Sequence, residues 1–400
     1  MRKIRVSILS IAVALLGIMS INAQENKDKK EVFKPSMKIE GRIMYDFDFL
    51  SAGDNYNFAG NEFRRLRLAA KGKVTKNVSY KADFDFTNGK IAYRDVYIKL
   101  TAPGNIGNVT IGSFAEPTGL DMLTSSKYIT FIERAMMTTT QYGKYNTGFR
   151  YENQKLFDGK IGLQLAYTFN GSPSSAYKDL DLNGGANFIG RVTGKILENK
   201  EKKQLIHLGV NYEFRNDEKD DFGYKFRTEN HMGNKTSIAS TGALKNTSDI
   251  GFELAATFGP LSLQSEYELA SIVSSVDTYK TSGYYGYVSY FITGENRPYK
   301  NSVFNRVKPK TDFCLKDKTW GAIELVARYS VMDLNDNLDV DGNDNKNYKI
   351  SNITAGFNWH LNKNTRIMYN FTSGNHEDLA PVEYEDDNLI GHLIRFQVDF

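Results

Sequence analysis

Arg65, Arg67, Lys71 and Lys73 all stand at odd positions of one short stretch. Successive side chains of a β-strand point to opposite faces, so in an extended chain the four cations share one face. Facing water inside a closed sheet, they would form a column that attracts oxyanions, the arginines through paired donors in fixed geometry. Arg42, Lys81, Lys99, Arg150, Arg191, Lys195, Arg328, Arg366 and Arg395 read as further cations on the wet faces of other strands. Asp46, Asp48, Asp83, Asp85, Asp95, Glu213, Asp249, Glu253, Glu266, Glu268 and Glu324 read as their counter-charges, leaving the wet face near balance. Lys127, Glu133, Arg134 and Lys144 lie in one long connecting stretch. There Glu133 and Arg134 are placed to pair with charges on a wall. Asp333–Asp344 packs carboxylates, and Asn337, Asp339, Asp341 and Gly342 mimic the start of a calcium loop. The closing position is Tyr348 rather than Glu, so a solvated acidic loop is the preferred reading. The five histidines have no metal-ligand spacing, and Cys314 has no partner. There is neither a nucleophile elbow nor a phosphate-binding glycine loop, so no catalytic residue, metal or cofactor is expected.

The elements that would carry these residues have a period of two. Ile39, Gly41, Ile43, Tyr45, Phe47 and Phe49 alternate with Lys38, Glu40, Arg42, Asp46 and Asp48. Val78, Tyr80, Ala82, Phe84 and Phe86 alternate with Ser79, Lys81, Asp83 and Asp85. The pattern returns at Ile161–Phe169, Ile206–Phe214, Ile250–Phe258, Leu261–Leu269, Ile323–Tyr329, Ile353–Leu361 and Ile394–Phe400, and the apolar faces carry no charge. The strands are long enough to cross a bilayer at a tilt, and charge on a lipid face would cost a few kcal/mol near the midplane. Backbone groups in lipid must all be paired, so the sheet has to close. Tight links at Thr75–Asn77, Leu156–Gly159, Gly259–Pro260 and Asn362–Asn364 alternate with long polar stretches, the rhythm of short periplasmic turns and long outer loops. The expected fold is all-β, a transmembrane antiparallel barrel of about sixteen strands. Phe222–Thr228 is assigned to an outer loop, because counting it as a crossing breaks the rhythm. Tyr284–Ile292 is aromatic on both faces and is not oriented by pattern.

Arg2, Lys3 and Arg5 precede an apolar run, Val6–Met19, and a small residue, Ala23. This is a secretory signal over 1–23, followed by a charged periplasmic tail over 24–36 and the barrel over 37–400. The 51 basic and 47 acidic residues of the full chain come close to balance once the signal is removed, so its charge does not point to nucleic acid. Phe400 ends an alternating strand after Phe396 and Val398, like an assembly signal for the outer-membrane insertion machinery.

Phe63–Val74 and Phe114–Gly148 resemble the phosphate-selective porin O and P family. In the second segment the resemblance rests on Gly119-Leu120, Ser125-Ser126-Lys127, Thr130-Phe131 and Glu133-Arg134. Tyr284–Tyr299, Arg306-Val307-Lys308-Pro309, Gly321–Ser330, Asn358-Trp359 and Arg395-Phe396-Gln397 extend it over nearly the whole mature chain. The resemblance implies a sixteen-stranded barrel of the bacterial outer membrane, usually a homotrimer. Its third outer loop, here 115–145, would fold inward and narrow a pore for phosphate or polyphosphate. Arg65, Arg67, Lys71, Lys73, Lys127, Arg134, Lys144 and Arg328 are the candidate pore-lining cations, and Glu133 is the candidate loop contact. Lys144 stands where the family pattern carries arginine. The alternatives are a general or sugar-type porin, with Tyr97 and Tyr284 as scattered inward aromatics, and a barrel protease or lipase.

Overall fold

The computed structural model describes residues 33–54, 56–89, 91–140, 145–169, 185–219, 223–239, 243–275, 277–334, 349–376 and 388–400. The signal segment, most of the charged tail, Lys144 and the acidic positions 337–348 lie outside the described residues. The strands are β1 (Ser36–Ala52), β2 (Tyr56–Lys73), β3 (Val78–Asp85), β4 (Ala92–Thr101), β5 (Asn108–Ala115), β6 (Tyr145–Leu156), β7 (Ile161–Phe169), β8 (Ala186–Asn199), β9 (Gln204–Lys219) and β10 (Gly223–Phe226). They continue as β11 (Thr236–Ala239), β12 (Leu244–Phe258), β13 (Leu261–Ser274), β14 (Thr278–Phe291), β15 (Tyr299–Lys300), β16 (Val303–Phe304), β17 (Ala322–Asp333), β18 (Lys349–His360), β19 (Thr365–Asn375) and β20 (Asn388–Asp399). Sixteen of these form one closed antiparallel barrel in which β20 pairs back onto β1. The pairs β10–β11 and β15–β16 are separate hairpins.

The faces sort as the alternation requires. On β13, Ser262, Gln264, Glu266 and Glu268 are buried while Leu263, Tyr267 and Leu269 are exposed. Across the barrel the outward faces are apolar and the charged residues face in, the reverse of a water-soluble sandwich and the arrangement a lipid solvent demands. On β14, Tyr279, Tyr285, Tyr287 and Phe291 face in, whereas Tyr284, Val288 and Tyr290 face out. Tyr284 is therefore a lipid-facing residue and not part of an inward aromatic track.

Alternation breaks once where it matters. The β1–β2 register shifts between Met44, opposite Arg65, and Tyr45, opposite Phe63. Arg64 is the extra residue of this β-bulge, which lets two consecutive arginines serve the same face.

The barrel end that carries the short turns 74–77, 102–107, 157–160, 200–203, 259–260 and 361–364 is the periplasmic end. The strict short–long rhythm does not hold. The outer turns after β1 and β13 are tight, and the periplasmic connection 292–321 is long and contains β15–β16. β10, which falls in the stretch assigned to an outer loop, belongs to the separate hairpin and is not a barrel crossing.

Two short helices, α1 (Leu120–Leu123) and α2 (Met136–Thr140), lie in the connection from β5 to β6. Met122, Phe131, Met136 and Met137 from this segment pack with Tyr279, Tyr285, Met332 and Ile350 of the inward faces. Leu120 joins Ala255 and Phe304 in a second cluster that includes the β15–β16 hairpin.

Candidate functional site

Residues 116–140 are held by the polar faces of strands around the barrel. Glu266 of β13 accepts from the backbone nitrogens of Leu120 at 2.9 Å and Asp121 at 2.7 Å. Asn358 of β18 donates to the Thr130 carbonyl at 2.8 Å, and Asn370 of β19 accepts from the Ile132 nitrogen at 2.8 Å. Arg366 of β19 donates to Ile129 at 2.8 Å, Arg395 of β20 to Ile132 at 2.5 Å, and Arg328 of β17 to Glu133 at 3.0 Å, each to a main-chain carbonyl. A loop with no sheet partner must find acceptors and donors for its backbone. Here the wall side chains of β13 and β17–β20 supply them.

Glu133 is the centre of charge in this segment. Its two carboxylate oxygens accept from Arg64 Nε and Nη2, each at 2.8 Å, and from Arg395 Nη2 at 2.9 Å, with Arg65 at 3.9 Å. Burial would push this carboxyl up, but Arg64, Arg65 and Arg395 outweigh it and hold it well below the usual carboxylate range.

Arg65 is buried beside Glu133 and touches Met44 Sδ at 3.6 Å. Arg67 donates to Asp85 at 2.8 Å. Lys71 is half-exposed and pairs with Glu40 at 2.8 Å, and Lys73 is exposed at the periplasmic rim. The column therefore divides, with two arginines deep in the barrel and two lysines at its mouth. Arg134 directs its guanidinium to the carbonyls of Asp121, Met122 and Thr124, fastening α1 from below. Arg328 is paired with Glu229 at 2.5 Å and stands over the Phe131 ring at 4.2 Å. Glu229, in the connection between β10 and β11, also accepts from Asn352 and Thr354 at 2.7 Å.

Below the segment lies a cavity of about 770 Å³. Its lining contains nine cations, Lys38, Arg42, Arg67, Lys71, Lys81, Lys127, Arg306, Lys308 and Lys363, against the carboxylates of Glu40, Asp83 and Asp399. Arg42 reaches Ser126 Oγ at 2.6 Å and lies 3.8 Å from Asp83, and its Nε has no acceptor among the described residues. Tyr128 accepts from Arg306 at 3.2 Å, with that guanidinium 5.1 Å from its ring centre. Burial pushes the Lys127 ammonium down, and the nearby Arg42 and Arg306 add to the effect against Asp399 and Glu40, leaving it at about 8.

Arg65, Arg134, Arg328 and Glu133 thus fasten the segment, while Arg67, Lys71 and Lys127 line the cavity and Lys73 stands outside it at the end of β2. Pattern reading did not single out Arg64, whose facing depends on the bulge. Nor did it select Arg306, Lys308 and Lys363, which come from connections rather than strands, although the first two stand in a segment on which the family resemblance rests. Glu229 carried no signal, being one acid in a polar loop.

The model of the family described as phosphate-selective porin O and P matches residues 37–400. Porin O of Pseudomonas aeruginosa is 26% identical over 402 residues, covering 91% of this chain and 88% of that one. Among solved structures, an anion-selective porin from Comamonas acidovorans has a TM-score of 0.57 at 14% identity, covering 92% of this chain and all of that one. The in-vitro folded trimer form of OmpT of Vibrio cholerae has a TM-score of 0.55 at 12% identity, covering 91% and 100% of the two chains. The solved structures share the barrel, and the full-length family match carries the kinship: the chain belongs to the phosphate-selective porin O and P family, barrel proteins of the bacterial outer membrane.

Proposed function

We propose that the protein is an anion-preferring diffusion porin, with phosphate as the solute its family suggests, and that residues 116–140 form its constriction. The observation that carries this reading is the cavity beneath that segment, lined by nine cations and three carboxylates. Cations along a narrow passage raise the local anion concentration and exclude cations. Several modest sites also suit conduction, since an ion has to leave as well as enter. Signal cleavage after export, insertion by the barrel-assembly machinery into lipid, and a homotrimeric state complete the proposal. The trimer draws support from the trimeric OmpT neighbour. Channel kinship argues against a hydrolytic role.

Single-channel reversal potentials under a potassium chloride gradient test the reading. The wild-type channel is expected to favour chloride, and added phosphate is expected to block that current. Lys71→Glu combined with Lys127→Glu should move the reversal potential toward cation preference and weaken the block. A wild-type channel that prefers potassium, or a double variant that changes neither quantity, would sink the proposal.

A further inference from the structure

The periplasmic connection 292–321 does two things in succession. Its first part enters the barrel, where Tyr299 meets His207 Nδ1 at 2.7 Å and Ser302 contacts Thr193 at 2.7 Å. Its second part leaves and rests on the outside of the wall. The Phe313 nitrogen donates to the Leu361 carbonyl at 2.6 Å, and the Phe313 ring stands edge-on to Trp359 with centres 5.2 Å apart. Trp359 shares the outward face of β18 with Ile353 and Phe357, and its Nε1 donates to the Trp320 carbonyl at 2.7 Å. Between these anchors Cys314 and Thr319 exchange two backbone hydrogen bonds at 3.0 Å, closing a turn over Leu315–Lys318.

This turn leaves Leu315 74% exposed and Trp320 59% exposed, and Ile292, just past the end of β14, is 54% exposed. The three continue the apolar outer surface of the barrel past its last strand residues. Lys316 and Lys318 are exposed in the same turn, with Asp317 between them and Asp312 just before it. Such a mixture does not suit the hydrocarbon midplane, where an unpaired charge is costly, but it suits the interface, where most of that cost disappears. Tryptophan favours that depth because its ring is apolar and its N–H is polar, and lysine stems lie along lipid while their heads reach the headgroups.

We propose that the Cys314–Thr319 turn with Trp320 is an interfacial anchor, seating Leu315 and Trp320 at the headgroup–acyl boundary of the periplasmic phospholipid leaflet. The occupant is lipid because the surface is continuous with the barrel's lipid-facing belt and its charges sit at the turn's tip.

The chain has two tryptophans, Trp320 and Trp359, so Trp359→Phe leaves Trp320 as the reporter. The full-length variant is reconstituted in vesicles of phosphatidylcholine and phosphatidylglycerol. The vesicles carry a nitroxide either near the headgroup or at the acyl terminus, and aqueous iodide is the opposing quencher. The expected result is stronger quenching of Trp320 by the shallow label than by the deep one, with little quenching by iodide. Leu315→Asp should shift the emission to the red and open it to iodide. Trp320→Phe is the control for insertion, since the wall residue Trp359 must remain lipid-quenched. Iodide access without lipid quenching of Trp320, while Trp359 stays lipid-quenched, overturns the proposal. So does shielding of Trp320 from both quenchers, which would mean a protein partner covers the turn.

Discussion

Lys127 lines the basic cavity, and burial pushes its ammonium down to about 8, so its charge changes near neutrality. Its protonated form is lost as pH rises through that value, so the sign is fixed. Anion preference is expected to fall between pH 7 and pH 9, and Lys127→Arg should remove most of that dependence, because guanidinium stays charged there. Reversal potentials across the pH series measure it, and a flat wild-type profile would contradict it. At Glu133 the expected effect is on stability. Arg395 keeps its pair with Asp46, but Arg64 and Arg65 lose the carboxylate they share, so Glu133→Ala should destabilise the barrel by about 3–5 kcal/mol. Urea unfolding in detergent checks this. Because Arg64, Arg65 and Arg395 lose their common acceptor, the current through the variant should also be noisier.

Alternation read from the sequence gave the facing of most strand residues, but it left two kinds of fact out of reach. The first is the bulge. Strict alternation puts Arg65 and Arg67 on one face and Arg64 on the other, and only the β1–β2 register decides that Arg64 joins Arg65 on Glu133. Deleting Arg64 should restore strict alternation, so a barrel of normal heat-modifiability is expected with a loosened loop segment. The second is what faces each wet side chain. His207 lies on the inward face as the pattern predicts, yet it meets Glu253 at 3.0 Å and Tyr299 at 2.7 Å rather than open water. Partners 46 and 92 residues away in the chain leave no local signature. Leu208→Arg should cost about 2–4 kcal/mol on the lipid face. His207→Arg should cost about 1–3 kcal/mol by overpacking. Adding Tyr299→Ala should relieve the second variant and not the first, as measured by unfolding midpoints. Equal relief of both would mean that the register of β9 is wrong.

For the whole molecule, closure depends on the last residues. Phe400 and Gly41 exchange backbone hydrogen bonds at 3.0 and 3.2 Å where β20 meets β1. The Phe400 ring covers Gly41 so closely that a Cβ there would come within 2.3 Å of it. Deleting Phe400 should reduce the amount of heat-modifiable barrel in the outer membrane while export continues, and normal amounts would refute this. The sixteen-strand architecture was legible because every crossing obeys the same solvent rule. The filling of the barrel was not, since the connection 292–321 and the loop residue Glu229 act through contacts that no periodicity encodes.

That filling is uneven. Arg191, Glu253 and His207 are fully sealed beneath the β15–β16 hairpin, whereas the basic cavity opens against β1, β2 and β3. In the proposed pore, an ion at the periplasmic mouth would therefore travel beside one wall instead of along the barrel axis, and the field it feels would be lateral. Interior substitutions on β8, β9 and β12 should then behave like changes in a soluble protein's core, altering stability and leaving the current–voltage curve alone. Charge changes on β1–β3 should do the reverse.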